Sequence, residues 1–201
     1  MLTDQRAILN RDIPLEIAGL YLLVLALAIG LTIWGYRSSG SRGEKILRLT
    51  AGGLCLLGLA VSAYIAYHAV IVNSPIQCAS TGGGCELVEK SKYAHFLGIH
   101  LSIYGLIGYS AILIVTSLRG DNARVAAFGL SLFGFCVSIL LRYLELWQIH
   151  ASCQWCVASA FLMTSLLIVN SARMFGFFGL DDYDFEEEDE SGGPAEAAPA
   201  T

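Results

Sequence analysis

Five long apolar runs fix the solvent this chain folds in. Ile17–Tyr36 and Leu49–Val72 carry no charge over twenty and twenty-four residues, and Leu101–Leu118, Val125–Leu141 and Cys156–Ala172 follow. Crossing the hydrocarbon of a bilayer takes about 20 apolar residues, with a range of ~17–25. All five runs reach that range, the last two at its lower bound, and Arg142 and Arg173 lengthen those two by snorkelling. A soluble protein with buried helices needs polar helix faces, which these runs lack. The expected fold is therefore an all-α integral membrane protein: a four-helix transmembrane bundle plus one extra N-terminal transmembrane helix, five spans in all.

Composition agrees. Only 14% of the 201 residues are charged and 55% are hydrophobic, whereas ordinary soluble domains carry roughly 25% charged residues. The net charge of −5 is unevenly placed, because residues 181–201 hold nine acids and no base. Residues 176–201 read as an acidic, disordered cytoplasmic tail with nothing to bury. The first run is not a cleaved signal peptide: its flank of Asp4, Arg6, Arg11, Asp12 and Glu16 is no basic n-region, and twenty apolar residues exceed a usual h-region. No basic stripe is available for nucleic acid.

Basic residues set the orientation. Arg37, Arg42, Lys45 and Arg48 lie between the first two runs, Arg119 and Arg124 between the third and fourth, and Arg173 ends the fifth. Placing these in the cytoplasm puts the N-terminus outside and the acidic tail inside, in a bacterial inner (plasma) membrane. Residues 1–48 then form an N-terminal segment with the extra helix and a basic loop, 49–175 a four-helix catalytic domain, and 176–201 the tail.

The same topology sorts the six cysteines. Cys55 and Cys136 lie inside spans and read as small apolar packing residues. Cys78, Cys85, Cys153 and Cys156 all fall on the outer face, which in bacteria is oxidising. Cys153-Gln154-Trp155-Cys156 opens a helix, where unpaired N–H groups and the helix dipole favour a thiolate. Cys153 is thus expected to be the reactive, accessible thiol. Cys156, ~4.5 Å further along the inward-running helix, faces the hydrocarbon. One thiol meets the aqueous side and the other a lipid-soluble compound, which suits passing electrons from protein thiols to a membrane quinone. A permanent disulfide one helical turn long would have little to stabilise.

Gly82, Gly83 and Gly84 precede Cys85. They serve either a mobile Cys85 that exchanges between Cys78 and Cys153, or a plain turn with φ > 0. Zinc held by the two cysteine pairs is a poorer reading, since the 78/85 spacing is wider than usual and the second pair starts a membrane helix.

Over roughly residues 50–172 the chain resembles the vitamin K epoxide reductase family. The matching parts are Cys78 with Cys85-Glu86-Leu87-Val88-Glu89-Lys90-Ser91, the stretch Tyr93–Ile99 leading into the helix with Ser102 and Gly105, and Leu144–Cys156. The resemblance implies a four-helix bundle that encloses a quinone near its outer end, capped by a loop with a short helix. It implies that Cys78 meets a thioredoxin-like partner, Cys85 exchanges with Cys153, Cys156 contacts the quinone, and Ser91 assists the exchange electrostatically. Ser102 joins Cys156 as a quinone-binding candidate. The quinone is of menaquinone, ubiquinone or vitamin K type.

Many bacterial members carry a fused thioredoxin-like domain after the last helix. Here only the acidic tail follows, so the redox partner is expected to be a separate protein on the outer face. Ala160 and Leu101 stand where the vertebrate enzyme has its quinone-binding tyrosine and asparagine, which favours quinone reduction coupled to disulfide formation over epoxide reduction. The sequence therefore reads as a membrane oxidoreductase with a Cys78/Cys85 to Cys153/Cys156 relay. The alternative is a metal-binding or metal-transport protein using the same thiols. His68, His95, His100 and His150 read as interface histidines, Arg142 and Glu145 as a structural ion pair, and Tyr64, Tyr67, Trp147 and Trp155 as an outer aromatic belt.

Overall fold

The computed structural model describes residues 15–38, 40–72, 84–89, 91, 94–96 and 98–177. Helix α1 spans Leu15–Arg37 and α2 spans Ser41–Ala66, continuing as a π-helical segment over Tyr67–Val72. The short α3 (Gly84–Glu89) is followed by a two-stranded hairpin, β1 (His95–Phe96) with β2 (Ile99–His100). Helix α4 spans Leu101–Ser117, α5 spans Asp121–Leu144 with a π-helical extension over Glu145–Ile149, and α6 spans Gln154–Phe177. The hairpin pairs His95 with His100 and turns through Gly98 at φ 79°.

The long helices run up and down with tight connections at one end. Gly40 (φ 79°) and Gly120 (φ 107°) precede α2 and α5, left-handed positions that glycine adopts without a Cβ clash. Among the described residues, four helical stretches, Glu16–Arg37, Ser41–Val72, Asp121–Ile149 and Gln154–Gly176, are long and apolar enough to cross a membrane, and Leu101–Ser117 is a shorter apolar helix. Large side chains such as Leu22, Leu49, Phe133 and Phe175 point outward. In water such a surface would aggregate; in lipid it is solvated. The chain is a helical membrane protein.

Small residues let α2 and α4 approach closely, the usual device where lipid removes the hydrophobic drive between helices. A Cβ added at Gly58 would lie 2.2 Å from Tyr109 Cε1, and one at Gly105 2.8 Å from Ser62 Oγ. The Tyr109 hydroxyl then reaches α6, at 2.9 Å from Ser159 Oγ. Leu47, Ala51, Leu54, Ile112, Leu166 and Val169 fill the core around it.

Charge is gathered at the connected end. Arg173 is 1% exposed and donates from Nη2 to Glu44 Oε1 at 2.9 Å and from Nη1 to Asn170 Oδ1 at 3.3 Å. Arg124 Nε lies 3.8 Å from the same Glu44 oxygen. Arg173 therefore does not snorkel to the interface, as its position at the end of an apolar run predicted. It turns inward because Glu44, in the first turn of α2, supplies a countercharge. The acidic tail from 178 onward lies outside the described residues.

Candidate active site

The opposite end of the bundle carries the thiols. Helix α5 does not stop at Leu144 but loosens into the π turn Glu145–Ile149, and the chain reverses at His150, the sole non-glycine with positive φ (55°) among the described residues. The His150 and Ala151 N–H groups both donate to the Glu145 carbonyl, the latter at 3.3 Å. Arg142 ion-pairs with the Glu145 carboxylate and donates from Nη2 to Ser152 Oγ at 3.2 Å. This brace feeds a fully buried stretch, Ala151–Gln154, into the first turn of α6.

Cys153 and Cys156 are free thiols. The Cys153 thiol is held below the usual thiol value, chiefly by a hydrogen bond with the Cys156 side chain. The Cys156 and Trp155 backbone N–H groups add to this, against burial and the Glu145 charge. These N–H groups are the unpaired donors of a helix start. The expectation that Cys153 would be accessible is not met: it is 4% exposed, and Cys156 one turn on is the less covered of the two. The physical reason is the buried reversal before α6: residues 151–154 are all buried, so the thiol that the sequence placed at an open interface is covered.

Cys85, on α3, is disulfide-bonded and 1% exposed, and α3 packs against the π turn at 145–149. Cys78, Gly82 and Gly83 lie outside the described residues. The Ser91 hydroxyl donates to the Val88 carbonyl at 2.7 Å, closing the end of α3. Ser102 Oγ lies 2.7 Å from His100 Nδ1 at the start of α4. Cys55 is buried in the core and Cys136 faces outward from α5. Of the aromatic candidates, Tyr64 packs on Trp155 at 4.7 Å and on His68 at 4.7 Å, and Tyr143 stacks on Trp147 at 5.9 Å.

One participant, Tyr21, has no sequence signal beyond its place in an apolar run. From α1, the Tyr21 hydroxyl donates to the Gln154 carbonyl, between the two cysteines, at 2.9 Å, and its ring stacks on Phe161 at 5.7 Å. Beside this contact is a groove of about 430 Å³ between α1 and α6, lined by Tyr21, Leu25, Arg142, Val157, Ala160 and Phe161 among others. Ala160 lies one turn beyond Cys156 on the same helix face. An apolar groove with a few polar groups, open between helices, fits a flat lipid-soluble ring. Neither Cys156 nor Ser102 is among its lining residues; Val157 is the groove residue next to Cys156.

A sequence model of the vitamin K epoxide reductase family matches residues 49–171. The chain belongs to the vitamin K epoxide reductase family. It is also 28% identical over 120 residues to the thiol-disulfide oxidoreductase LTO1 of Arabidopsis thaliana, a match covering 54% of this chain and 32% of that protein. The chain thus spans about a third of the length of that relative.

Proposed function

We propose that this vitamin K epoxide reductase family member is a membrane thiol oxidoreductase that forms disulfides and reduces a quinone. The observation that carries the reading is a Cys-x-x-Cys at a helix start with a lowered Cys153 thiol, preceded by a π turn against which packs a loop helix whose Cys85 is already disulfide-bonded. The relative named as a thiol-disulfide oxidoreductase supports the same chemistry.

In this reading Cys78 and Cys85 form the loop pair that takes electrons from a separate thioredoxin-like protein. Cys85 thiolate attacks Cys153 Sγ, the Cys153–Cys156 bond breaks, and Cys156 leaves as the thiolate. Attack has to be in line with the bond that breaks, so α3 must bring Cys85 over the first turn of α6. Ser91 acts at one remove, by closing α3. The quinone, bound in the α1–α6 groove with Tyr21, Arg142 and Phe161 around it, supplies the two-electron sink. The extra helix α1 is the first of five spans, with α4 as the short one, and the thiol end faces outward because the basic residues gather at the other end. A disulfide-bonded Cys85 offers no thiolate to a metal, which disfavours the metal-binding alternative.

The test is reconstitution of the purified chain with a short-chain ubiquinone and a reduced thioredoxin-like protein. Quinone consumption is expected, and Cys156→Ser should reduce it to background. Consumption that survives this substitution, or none by the unaltered chain, overturns the reading.

A further inference from the structure

We infer that Glu145 is the proton acceptor of the Cys-x-x-Cys, a carboxylate catalytic residue supplied by the π turn of α5; this rests on the thiol-to-quinone reading above. Glu145 is 3% exposed, and a carboxylate is almost never covered to that degree unless paired. Its partners are specific. Arg142 ion-pairs with it from one turn earlier, and its carboxylate is within hydrogen-bonding reach of the Cys156 thiol and the Cys153 backbone N–H. The carboxylate therefore touches the sulfur that must lose a proton.

Local backbone geometry makes that contact. Continued as a regular α-helix, α5 would carry residue 145 on without the reversal. The π turn and the left-handed His150 instead fold the chain back, so that Glu145 meets residues eight and eleven positions later. Arg142 also holds Ser152 Oγ at 3.2 Å, tying the carboxylate and the cysteine segment to one guanidinium. A purely structural ion pair would have no need to touch a thiol.

The chemistry balances. The reduced pair holds two thiol protons and gives up two electrons. Cys156 passes its proton to Glu145, the Cys153–Cys156 Sγ–Sγ bond forms, two electrons go to the quinone, and two protons complete the hydroquinone. One of these protons is relayed by Glu145 and the other is lost from Cys153. The reverse proton transfer serves when Cys156 leaves as the thiolate under attack by Cys85. The titratable and charged groups around Glu145 are Arg142 on its own helix, Cys153 just before α6 and Cys156 in its first turn, and α3, which packs against the π turn, carries Glu86 and Glu89.

The experiment is single-turnover oxidation of the pre-reduced full chain in vesicles by a short-chain ubiquinone, for the unaltered protein, Glu145→Gln and Glu145→Asp. General base catalysis contributes about 10²–10⁴-fold, so Glu145→Gln should slow this step by at least about 10²-fold. Raising the pH should relieve the defect as water takes over the proton, and Glu145→Asp should recover part of the rate. A Glu145→Gln rate equal to that of the active, unaltered chain overturns the inference and leaves the quinone reading standing; no quinone consumption by the unaltered chain overturns both. Should Glu145→Gln fail to fold, reduced-minus-oxidised infrared difference spectra of the unaltered chain decide. A carboxyl band that changes protonation with the thiols supports the role, and its absence overturns it.

Discussion

Cys153 shows how a residue's chemistry separates from its exposure. Its thiol is lowered because the Cys156 side chain and two helix-start N–H groups stabilise the thiolate, and this outweighs burial. A group whose folded value is depressed contributes stability above its unfolded value, near 8.5 for a free thiol, and loses it as pH falls through the folded value. The reduced protein should therefore show thiolate ultraviolet absorbance below the ordinary thiol range. Replacing Cys156 by Ala should move that titration up, since the main donor is gone. A titration that stays put after Cys156→Ala would contradict this account. The spacing of the two cysteines and the helix start were legible in the sequence, and the lowered thiol follows from them. The burial was not, because it depends on a reversal built by a non-glycine left-handed residue, which no local pattern announces. For the same reason Arg142 and Glu145, three apart, read as an ordinary ion pair: spacing shows that they meet each other, not that a thiol eight to eleven residues later meets them.

At the scale of elements, the apolar runs located the helices but not their ends. Leu49–Val72 marks the hydrocarbon-facing part of a helix that begins at Ser41, because Arg42, Lys45 and Arg48 continue the helix into the polar region. Val125–Leu141 likewise lies within α5, which runs on into the π turn. Helix α1 reads as an extra span without a role in the sequence. Its purpose emerges only in contact, where one tyrosine hydroxyl meets a carbonyl of the Cys-x-x-Cys and one ring meets Phe161. Tyr21→Phe keeps the stack and removes the hydrogen bond. It should cost about 1 kcal/mol of stability, read as a lower thermal midpoint in detergent, and weaken quinone binding in the reconstituted assay. An unchanged quinone KM would remove the Tyr21 hydroxyl from quinone binding.

At the scale of the whole molecule, the basic loops and the Cys-x-x-Cys lie at opposite ends of the bundle. The asymmetry of basic residues was visible in the sequence, since it needs only the loops to be counted. The inward turn of Arg173 was not, because Glu44 is far away along the chain and becomes its partner only when α2 and α6 pack. Truncating one member of a buried pair leaves an uncompensated charge. Arg173→Ala should therefore cost about 3 kcal/mol, measured by denaturation in mixed micelles, while the double change with Glu44→Gln recovers part of it. A double-variant loss equal to the sum of the Arg173→Ala and Glu44→Gln losses would show that the pair is not coupled.

The covering of Cys153 also has a consequence for the cell. A quinone-linked thiol couple open to its surroundings would short-circuit, oxidising any small thiol that drifted by and draining the quinone pool. At 4% exposure Cys153 is insulated. Under the proposed relay, electrons enter at the loop pair rather than at the covered Cys153, so the choice of electron donor is made at the loop.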